Sequence, residues 1–380
     1  MQPFQVEWDA ARLRRVHDQV GRYRFPPTPR DPGWRYGCDP AFLRELCTYW
    51  ADGFDADAAA ARLNRFPQVV HRVEGIDLHA VHVVGEVGGR RPLLLTHGWP
   101  GSTYEFWEVA EPLAFPSRFG GDPADAFDLI IPSLPGYGFS GKPAAPLSMR
   151  TTARLFDRLM TEGFGYRRYL AQGGDLGSGV AAWLALEHAA SIRAIHLNYL
   201  LVQPSGPPTT AEEIAWQAAK QETDRQLGAY SHLHNTRPQS LAYAMEDNPV
   251  AQLAWIVERF HDWSDQRARP FDAIFSRDQL LTDVMIYVMN DAFTTATWFY
   301  AAAAAEQARE VPAGRRIEVP TAFTCYNDPR TPNPPRSWVE RGYALDRWVE
   351  QPRGGHFAAL EAPDLFVADL RDWGRSVAEG

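Results

Sequence analysis

The chain has 380 residues, of which 45% are hydrophobic, 12% aromatic and 22% charged. This composition is that of an ordinary globular protein and excludes intrinsic disorder, while the length allows either one large domain or two. The formal net charge of −9 argues against a general nucleic-acid-binding protein, which would need a basic surface.

The N-terminal sequence and the cysteines bear on where the protein works. The first 15 residues lack the apolar stretch of a signal peptide, and no segment approaches the roughly 18–20 apolar residues of a membrane span. Cys38, Cys47 and Cys325 form neither a zinc pattern nor a CxxC motif, and they fit a reducing compartment. We therefore expect a soluble, cytoplasmic protein that contacts neither membranes nor nucleic acid.

The hydrophobic periodicity changes along the chain. Its first part predicts helices at 8–24, 40–50 and 57–66. From Val69 it predicts strands at 69–73, 76–84, 92–96, 129–132, 169–172 and 192–197, with helices at 104–113, 149–163 and 177–188 between them. Only helices are predicted next, at 211–227, 238–244, 249–262, 278–289 and 294–309. Strands return at 317–324 and 345–350, and a last helix is predicted at 363–373.

This order of elements predicts the fold class and the domain organisation. Alternating strands and helices predict an α/β fold with a mostly parallel central sheet and helices on both faces. The helical block late in that sheet predicts an inserted lid over the carboxyl ends of the strands, where ligands bind. We expect an N-terminal helical extension packing on the core (1–68), the first part of the core (69–200), the lid (201–310) and the second part of the core (311–380).

The most specific motif is Gly173-x-Asp175-x-Gly177, which follows a predicted strand and begins a predicted helix. It matches the nucleophile elbow G-x-S-x-G with Asp in place of Ser. The elbow is a sharp turn that requires small flanking residues and presents its central side chain outward. The alternative is an aspartate that caps an ordinary helix, and the motif alone does not choose between the two.

Two further motifs occur at the expected element boundaries. The sequence HGWPGS, residues 97–102, follows a predicted strand, and its turn can point a backbone N–H group toward Asp175. With the N–H group of Leu176 this forms an oxyanion hole. His356 lies in a glycine loop before the last helix, in the chain order nucleophile, acid, histidine. His71, His79 and His82 lie in alternating strands and are expected to be structural.

Two other patterns are misleading. Residues 136–141 read GYGFSG and match a dinucleotide-binding fingerprint, but the prolines that follow prevent the helix that such a site requires. No serine occupies a G-x-S-x-G frame, so a serine esterase mechanism lacks its nucleophile. We expect no cofactor and no metal.

Together these motifs resemble those of the microsomal-type epoxide hydrolases, which have the α/β-hydrolase fold. The resemblance rests on four core motifs, HGWPGS, PSLPGYGFS, QGGDxGS and RGGHFAALE, and on WRYG, Tyr49-Trp50 and LNRFP in the first 67 residues. It covers nearly the whole chain and implies a soluble bacterial member whose partners are an epoxide and water. The oligomeric state stays open, with a homodimer as one alternative.

The resemblance also implies residue roles. Asp175 attacks a ring carbon and forms an alkyl ester, His356 activates the water that hydrolyses the ester, and the N–H groups of Trp99 and Leu176 hold the oxyanion. Tyr230 and Tyr300, in the lid, donate a proton to the ring oxygen, although either could instead be a packing aromatic. Trp99, Leu176, Trp298 and Phe299 are expected to line the substrate pocket.

The chain departs from the family pattern at two positions. The acid that orients His356 normally lies in an F-P-x-E/D segment, but this chain reads CYNDPR at 325–330. Asp328 is the carboxylate of that segment, whereas Glu318 lies inside a predicted strand and Glu340 on the following helix. Leu176 replaces the usual Trp, which keeps the backbone donor and predicts a differently shaped pocket.

The sequence supports three functions in order. The favoured function is an epoxide hydrolase that forms a vicinal diol. The first alternative is a haloalkane dehalogenase, which uses the same Asp and His chemistry, and the second alternative is a catalytically silent ligand-binding protein. The lid tyrosines favour the epoxide, because an alkoxide must be protonated and a halide need not be. An aromatic-rich lid predicts a bulky apolar epoxide, with an aryl epoxide as one alternative, through Trp216, Trp255, Trp263, Trp298 and Phe299. Natural-product biosynthesis and xenobiotic degradation remain equal alternatives for its role.

Overall fold

The computed structural model describes residues 1–88 and 91–377. Within these ranges a nine-stranded sheet forms the centre of the molecule. Its strands are β1 (Gln2–Phe4), β2 (Gln68–Val73), β3 (Ile76–Val83), β4 (Pro92–Thr96), β5 (Asp128–Pro132), β6 (Tyr169–Gly173), β7 (Ile192–Leu197), β8 (Ile317–Cys325) and β9 (Tyr343–Glu350). Their spatial order is β1-β2-β3-β5-β4-β6-β7-β8-β9.

The sheet is mostly parallel, as the sequence predicts. The first four strands in spatial order, β1, β2, β3 and β5, pair antiparallel, and every pairing from β5 to β9 is parallel. Strands β4 to β6 are buried along their whole length, because helices cover both faces of a parallel sheet.

Alternate residues of the strands feed two hydrophobic cores. Leu94 and Ile130 pack in one core, while their neighbours Leu93 and Leu129 pack in the other. Successive side chains of a strand point to opposite faces, which explains the division. Helices α5 and α6 contribute to the first core, and α4 and α16 contribute to the second. The α/β fold with helices on both faces is therefore confirmed.

Sixteen α-helices lie within the described residues. They are α1 (Ala10–Gly21), α2 (Pro40–Asp52), α3 (Ala56–Leu63), α4 (Trp107–Ala114), α5 (Met149–Arg158), α6 (Asp175–Glu187), α7 (Ala211–Leu227), α8 (Ala229–Thr236), α9 (Pro238–Met245), α10 (Pro249–Trp263), α11 (Phe271–Ile274), α12 (Arg277–Met289), α13 (Ala292–Ala305), α14 (Arg336–Gly342), α15 (Ala358–Glu361) and α16 (Pro363–Ser376).

Among the short elements that the sequence pattern did not predict, β1 and α8 matter most here. The N-terminal segment is not helical throughout, because Gln2–Phe4 forms β1 at the edge of the sheet against β2. Three residues are too few to show a period of two, so the sequence pattern could not reveal this strand. Helix α8, which carries Tyr230, also escaped prediction, since its eight residues include two His, one Ser, one Asn and one Thr.

Seven helices, α7 to α13, lie between β7 and β8. An isolated parallel bridge joins Gln203 to Glu310, so the two ends of this helical segment meet. The segment also contacts the histidine loop, because His356 N donates to Trp263 O at the end of α10, at 3.0 Å. Among residues 1–88 and 91–377, no helix is both long and apolar enough to cross a membrane.

Candidate active site

Asp175 is the first residue of α6 and directly follows β6. Its φ of +41° lies in the left-handed region, which is costly for a residue with a Cβ atom and typical of a strained functional turn. The cap of α6 is Gly174, and Asp175 makes no capping bond, so the helix-cap alternative is wrong. A Cβ on Gly173 would overlap the backbone of Gly177, and one on Gly177 would overlap Thr96 O. The glycines of the motif are therefore required by the turn.

The loop after β4 holds one oxygen of Asp175. Trp99 N donates to Asp175 Oδ1 at 2.9 Å. This approach requires glycine at position 98, where a Cβ would overlap the Asp175 carboxylate. Leu176 lies in the first turn of α6, where backbone N–H groups have no acceptor within the helix. The two predicted oxyanion donors thus lie on either side of the nucleophile.

His356 lies between two carboxylates. Its Nδ1 is 2.8 Å from Asp328 Oδ2, and its Nε2 is 3.5 Å from Asp175 Oδ2. The other oxygen of Asp328 accepts from Arg330 N at 2.7 Å, which fixes the carboxylate. The rejected candidates Glu318 and Glu340 expose 72% and 46% of their side chains. The structure therefore brings Asp328, the acid chosen from the sequence, to the histidine.

The charges around His356 decide its protonation. Burial disfavours the imidazolium, but the negative charges of Asp328 and Asp175 outweigh burial and raise the pKa of His356 to about 10. In the resting site the histidine is therefore positively charged at neutral pH. Loss of the negative charge of Asp175 would lower this pKa and favour the neutral imidazole.

Tyr230 on α8 and Tyr300 on α13 line the same cavity as Asp175. The ring of Trp99 stacks on Tyr230 at a centroid distance of 5.0 Å and meets Tyr300 edge-on at 6.1 Å. Burial raises the pKa of both phenols, so both are protonated at neutral pH. The positive charge of Arg330 opposes this rise at Tyr230, and that of Arg309 opposes it at Tyr300.

A cavity of about 440 Å³ connects these groups. Asp175, Leu176, Tyr230 and Tyr300 all line it. The other three predicted pocket residues do not line this cavity. Trp99 lines a second, smaller space, and Trp298 is half-buried. Phe299 packs edge-on against Tyr137 in the core. The remaining lining is largely polar and includes Gln203, Lys220, Asp224, Ser231, His232, Asn235, Arg309 and Arg330.

The smaller space, of about 20 Å³, lies beside the catalytic groups. Asp175, His356, Trp99 and Glu105 are among its lining residues. Burial, together with the negative charge of Asp283, raises the pKa of Glu105 well above its usual range, so this carboxyl is neutral and can donate. Glycine at position 101 leaves the room that Glu105 Oε1 occupies.

Three site residues were missed by sequence reasoning: Glu105, Arg330 and Glu361. The buried carboxylate of Glu361 accepts from the N–H groups of Gly355 at 2.9 Å, Phe357 at 2.9 Å and Asp265 at 2.7 Å, and so shapes the histidine loop and ties the lid to it. Glu361 ends the RGGHFAALE motif, so an acid inside a catalytic motif was an available signal. Nothing in the sequence placed Arg330 in a cavity.

One of the strand histidines that the sequence analysis expects to be structural, His79, has two buried hydrogen-bond partners. His79 is buried, with Ser133 Oγ at 2.9 Å from Nδ1 and Gln68 Oε1 at 2.8 Å from Nε2. Burial lowers the pKa of His79 to about 3, so it stays neutral. The described residues hold no group of three His, Cys, Asp or Glu side chains that could bind a metal ion.

Comparison with known proteins places the chain in a family. The family described as "Epoxide hydrolase N terminus" matches residues 1–106, and "alpha/beta hydrolase fold" matches residues 91–363. A Stigmatella aurantiaca protein named "Putative epoxide hydrolase" is 36% identical over 376 residues, covering 97% of this chain and 84% of the relative. "Epoxide hydrolase 1" of Sus scrofa is 30% identical over 403 residues, covering 98% and 88%.

Solved structures agree with the sequence comparisons. The epoxide hydrolase of Aspergillus niger superposes with a TM-score of 0.85 at 29% identity, covering 99% of this chain and 96% of that one. The juvenile hormone epoxide hydrolase of Bombyx mori superposes with a TM-score of 0.86 at 25% identity, covering 98% and 94%. The similarity therefore extends over the whole chain, including the N-terminal segment and the helices between β7 and β8.

Proposed function

Because the chain belongs to the microsomal-type epoxide hydrolases of the α/β-hydrolase fold, we propose that it converts an epoxide to a vicinal diol through an ester on Asp175. The observation that carries the proposal is the placement of Asp175, between the Trp99 N–H group and His356, at the wall of a cavity shared with two protonated tyrosines. We also propose that the helices of residues 201–310 act as the lid and that the protein works in the cytoplasm.

The first step is alkylation of the nucleophile. Trp99 N–H holds Oδ1, which leaves Oδ2 to attack a ring carbon. The bond between that carbon and the ring oxygen breaks, and the oxygen leaves as an alkoxide that takes a proton from Tyr230 or Tyr300. The positive charge of Arg330 stabilises the phenolate of Tyr230, and that of Arg309 stabilises the phenolate of Tyr300.

Alkylation also converts His356 into a base. The ester has no negative charge, so one of the two charges that raise the histidine pKa disappears. The proton that His356 gives up as its pKa falls returns to the phenolate left by the first step. Neutral His356 can then take a proton from water as the water oxygen attacks the ester carbonyl carbon. Trp99 N–H and Leu176 N–H stabilise the oxyanion on Oδ1. Collapse of this intermediate breaks the carbonyl carbon–Oδ2 bond. The departing alkoxide takes the proton of the newly added hydroxyl group, which releases the diol and leaves a carboxylate on Asp175 and an imidazolium at His356.

The smaller space gives the hydrolytic water a position. About 10–15 Å³ is enough to hold one water molecule, and the space measures about 20 Å³. It lies beside His356 Nε2, which has no hydrogen-bond partner among the described residues. The neutral carboxyl of Glu105 can donate a hydrogen bond there, which would orient a lone pair of the water toward the ester carbon.

The reacting end of the substrate should be apolar. Leu176, Leu200, Leu201 and the rings of Tyr230 and Tyr300 line the cavity near the nucleophile. We therefore propose a bulky epoxide with apolar, aryl or alkyl, groups next to the oxirane, and biosynthetic or degradative work on such compounds as its role.

The proposal is tested by intact-protein mass spectrometry of His356→Gln after exposure to a panel of epoxides. We expect a stable adduct that peptide mapping places on Asp175, because the ester forms and is not hydrolysed. His71→Gln, a histidine of β2 outside the cavity, serves as a control and should turn over without accumulating an adduct. Alkylation of Asp175 by a haloalkane, with no adduct from any epoxide, would favour the dehalogenase instead. Binding that survives Asp175→Asn, with no adduct from either class, would favour a silent ligand-binding protein.

A further inference from the structure

Part of the wall of the 440 Å³ cavity carries an excess of positive charge. Lys220, Arg309 and Arg330 line it, and Asp224 is the one carboxylate besides Asp175 among the described residues of the lining. Asp224 is shared between Lys220 Nζ at 2.7 Å and Arg330 Nη1 at 2.8 Å. Although burial opposes it, these two cations hold the pKa of Asp224 below its usual range, so the carboxylate stays charged. One negative charge therefore offsets only one of three cations.

The two guanidinium groups keep donors unused. Arg330 is 7% exposed, and its Nε has no hydrogen-bond partner within residues 1–88 and 91–377. The buried Nε of Arg309 likewise has no hydrogen-bond partner within the described residues. The Nη2 atom of Arg309 donates to Asn235 Oδ1 at 3.1 Å. The Nε atoms themselves are closed off from the cavity, but both arginine residues line it and carry charge that the protein pairs only in part.

These cations also lie next to the reacting groups. The Cζ atom of Arg330 is 5.9 Å from the ring centroid of Tyr230, and that of Arg309 is 5.7 Å from the ring of Tyr300. Lys220 and Asp224 expose 32% and 38% of their side chains, while Tyr230 and Arg330 are buried. The cavity thus runs from Asp175, past the tyrosines and the two arginines, to a charged mouth.

We infer that the epoxide this protein hydrolyses carries a carboxylate, which Arg330 and Arg309 bind while the oxirane reaches Asp175. Arginine suits this role because its planar fork of N–H donors matches a carboxylate, and such charge-assisted bonds are about twice as strong as neutral ones. The substrate is then amphipathic: its oxirane end contacts Leu176 and the tyrosine rings, and its anionic end remains toward the mouth. This inference rests on the proposed function and adds the substrate class.

The aromatic residues of the lid predict, from the sequence alone, a wholly apolar substrate. Those five aromatic residues do not line the cavity. For example, Trp216 donates its indole N–H to Pro332 O at 2.9 Å, and Trp255 donates to His234 Nε2 at 3.2 Å. They stabilise the lid, and the cavity wall is formed by polar side chains of neighbouring positions.

The test compares ω-epoxyalkanoates of five to ten carbons with their primary amides, which have the same shape and oxirane but no charge. We expect kcat/KM of the native protein to favour the carboxylate at least tenfold at the best chain length. In Arg330→Gln this ratio should fall toward one. Arg336→Gln removes an arginine paired with Glu340 on the surface and should keep the native ratio. Should Arg330→Gln fail to fold by circular dichroism, Arg309→Gln measures the same ratio.

The outcomes separate the inference from the proposed function. Equal hydrolysis of acids and amides by the native protein would overturn the carboxylate site. Loss of both activities by the same factor in Arg330→Gln would also overturn it, and would show that Arg330 acts through Tyr230. In both cases His356→Gln would still form an adduct on Asp175. No adduct with either compound would instead refute the epoxide hydrolase proposal itself.

Discussion

Replacing Asp328 by Asn tests the assignment that the family pattern supports least. Raising the pKa of His356 from 6.5 to about 10 corresponds to stabilisation of the imidazolium on the order of 5 kcal/mol. Burial opposes protonation, and Asp328 is the largest of the favourable contributions. Its removal should therefore forfeit roughly 3 kcal/mol, which is about 100-fold in the rate of a step that forms the imidazolium.

The second half-reaction is the step that should slow. Ester hydrolysis requires His356 to accept a proton, and the side-chain amide of the Asp328→Asn variant could also turn its N–H₂ group to Nδ1 and favour the wrong tautomer. Alkylation of Asp175 does not require proton transfer to His356. We therefore expect the ester to accumulate during turnover, and the pKa of His356 to fall in the free protein.

Rapid-quench mass spectrometry and histidine NMR titration measure these two effects. Glu318→Gln and Glu340→Gln are matched controls, since both carboxylates lie on neighbouring elements and are exposed. A variant Asp328→Asn that turns over within tenfold of the native rate, without ester accumulation, would refute the reasoning. Ester accumulation in Glu340→Gln, and not in Asp328→Asn, would identify Glu340 as the acid instead.

Two further substitutions test the backbone of the site. Gly98→Ala should reduce kcat at least 100-fold, because the added methyl group overlaps the Asp175 carboxylate. Gly21→Ala in α1 is the control and should keep native activity, because a Cβ there meets nothing within 4 Å. Steady-state kinetics of both variants with the same epoxide test this, and equal activity of the two would contradict the clash. Glu361→Gln should lower the free energy of unfolding by about 1–3 kcal/mol, because an amide satisfies the three N–H groups of the histidine loop less well. Urea denaturation measures this, and an unchanged midpoint would show that the loop does not depend on Glu361.

Much of the catalytic site could be predicted from the sequence because its residues lie in short motifs at element boundaries. The sharp turn at Asp175 depends on local sterics, and the two glycines that permit it are two positions away on either side. The histidine loop is likewise local, and Asp328, whose carboxylate lies 2.8 Å from His356 Nδ1, was chosen because it is the carboxylate of its segment. Chain order then sufficed, since parallel strands bring their carboxyl ends to one edge of the sheet.

The fold was predictable to a similar extent. Buried parallel strands appear as continuous apolar runs, and β4, β5 and β6 lie within one residue of their predicted bounds. The three-residue β1 and the polar helix α8 were missed, because their structure depends on partners far along the chain.

The cavity wall was decided by the tertiary structure alone. Sequence composition showed an aromatic lid, but whether an aromatic ring faces a cavity or another helix depends on how the lid helices pack. Phe299 and Tyr300 are adjacent on α13, yet one packs on Tyr137 in the core and the other faces Asp175, since successive residues of a helix point about 100° apart. Arg330, two residues beyond the acid, enters the cavity because the turn that positions Asp328 also directs its side chain toward Tyr230 and Asp224. The candidate catalytic residues were therefore encoded in local motifs, whereas the charge of the pocket, on which the inferred substrate class rests, emerged only from long-range packing.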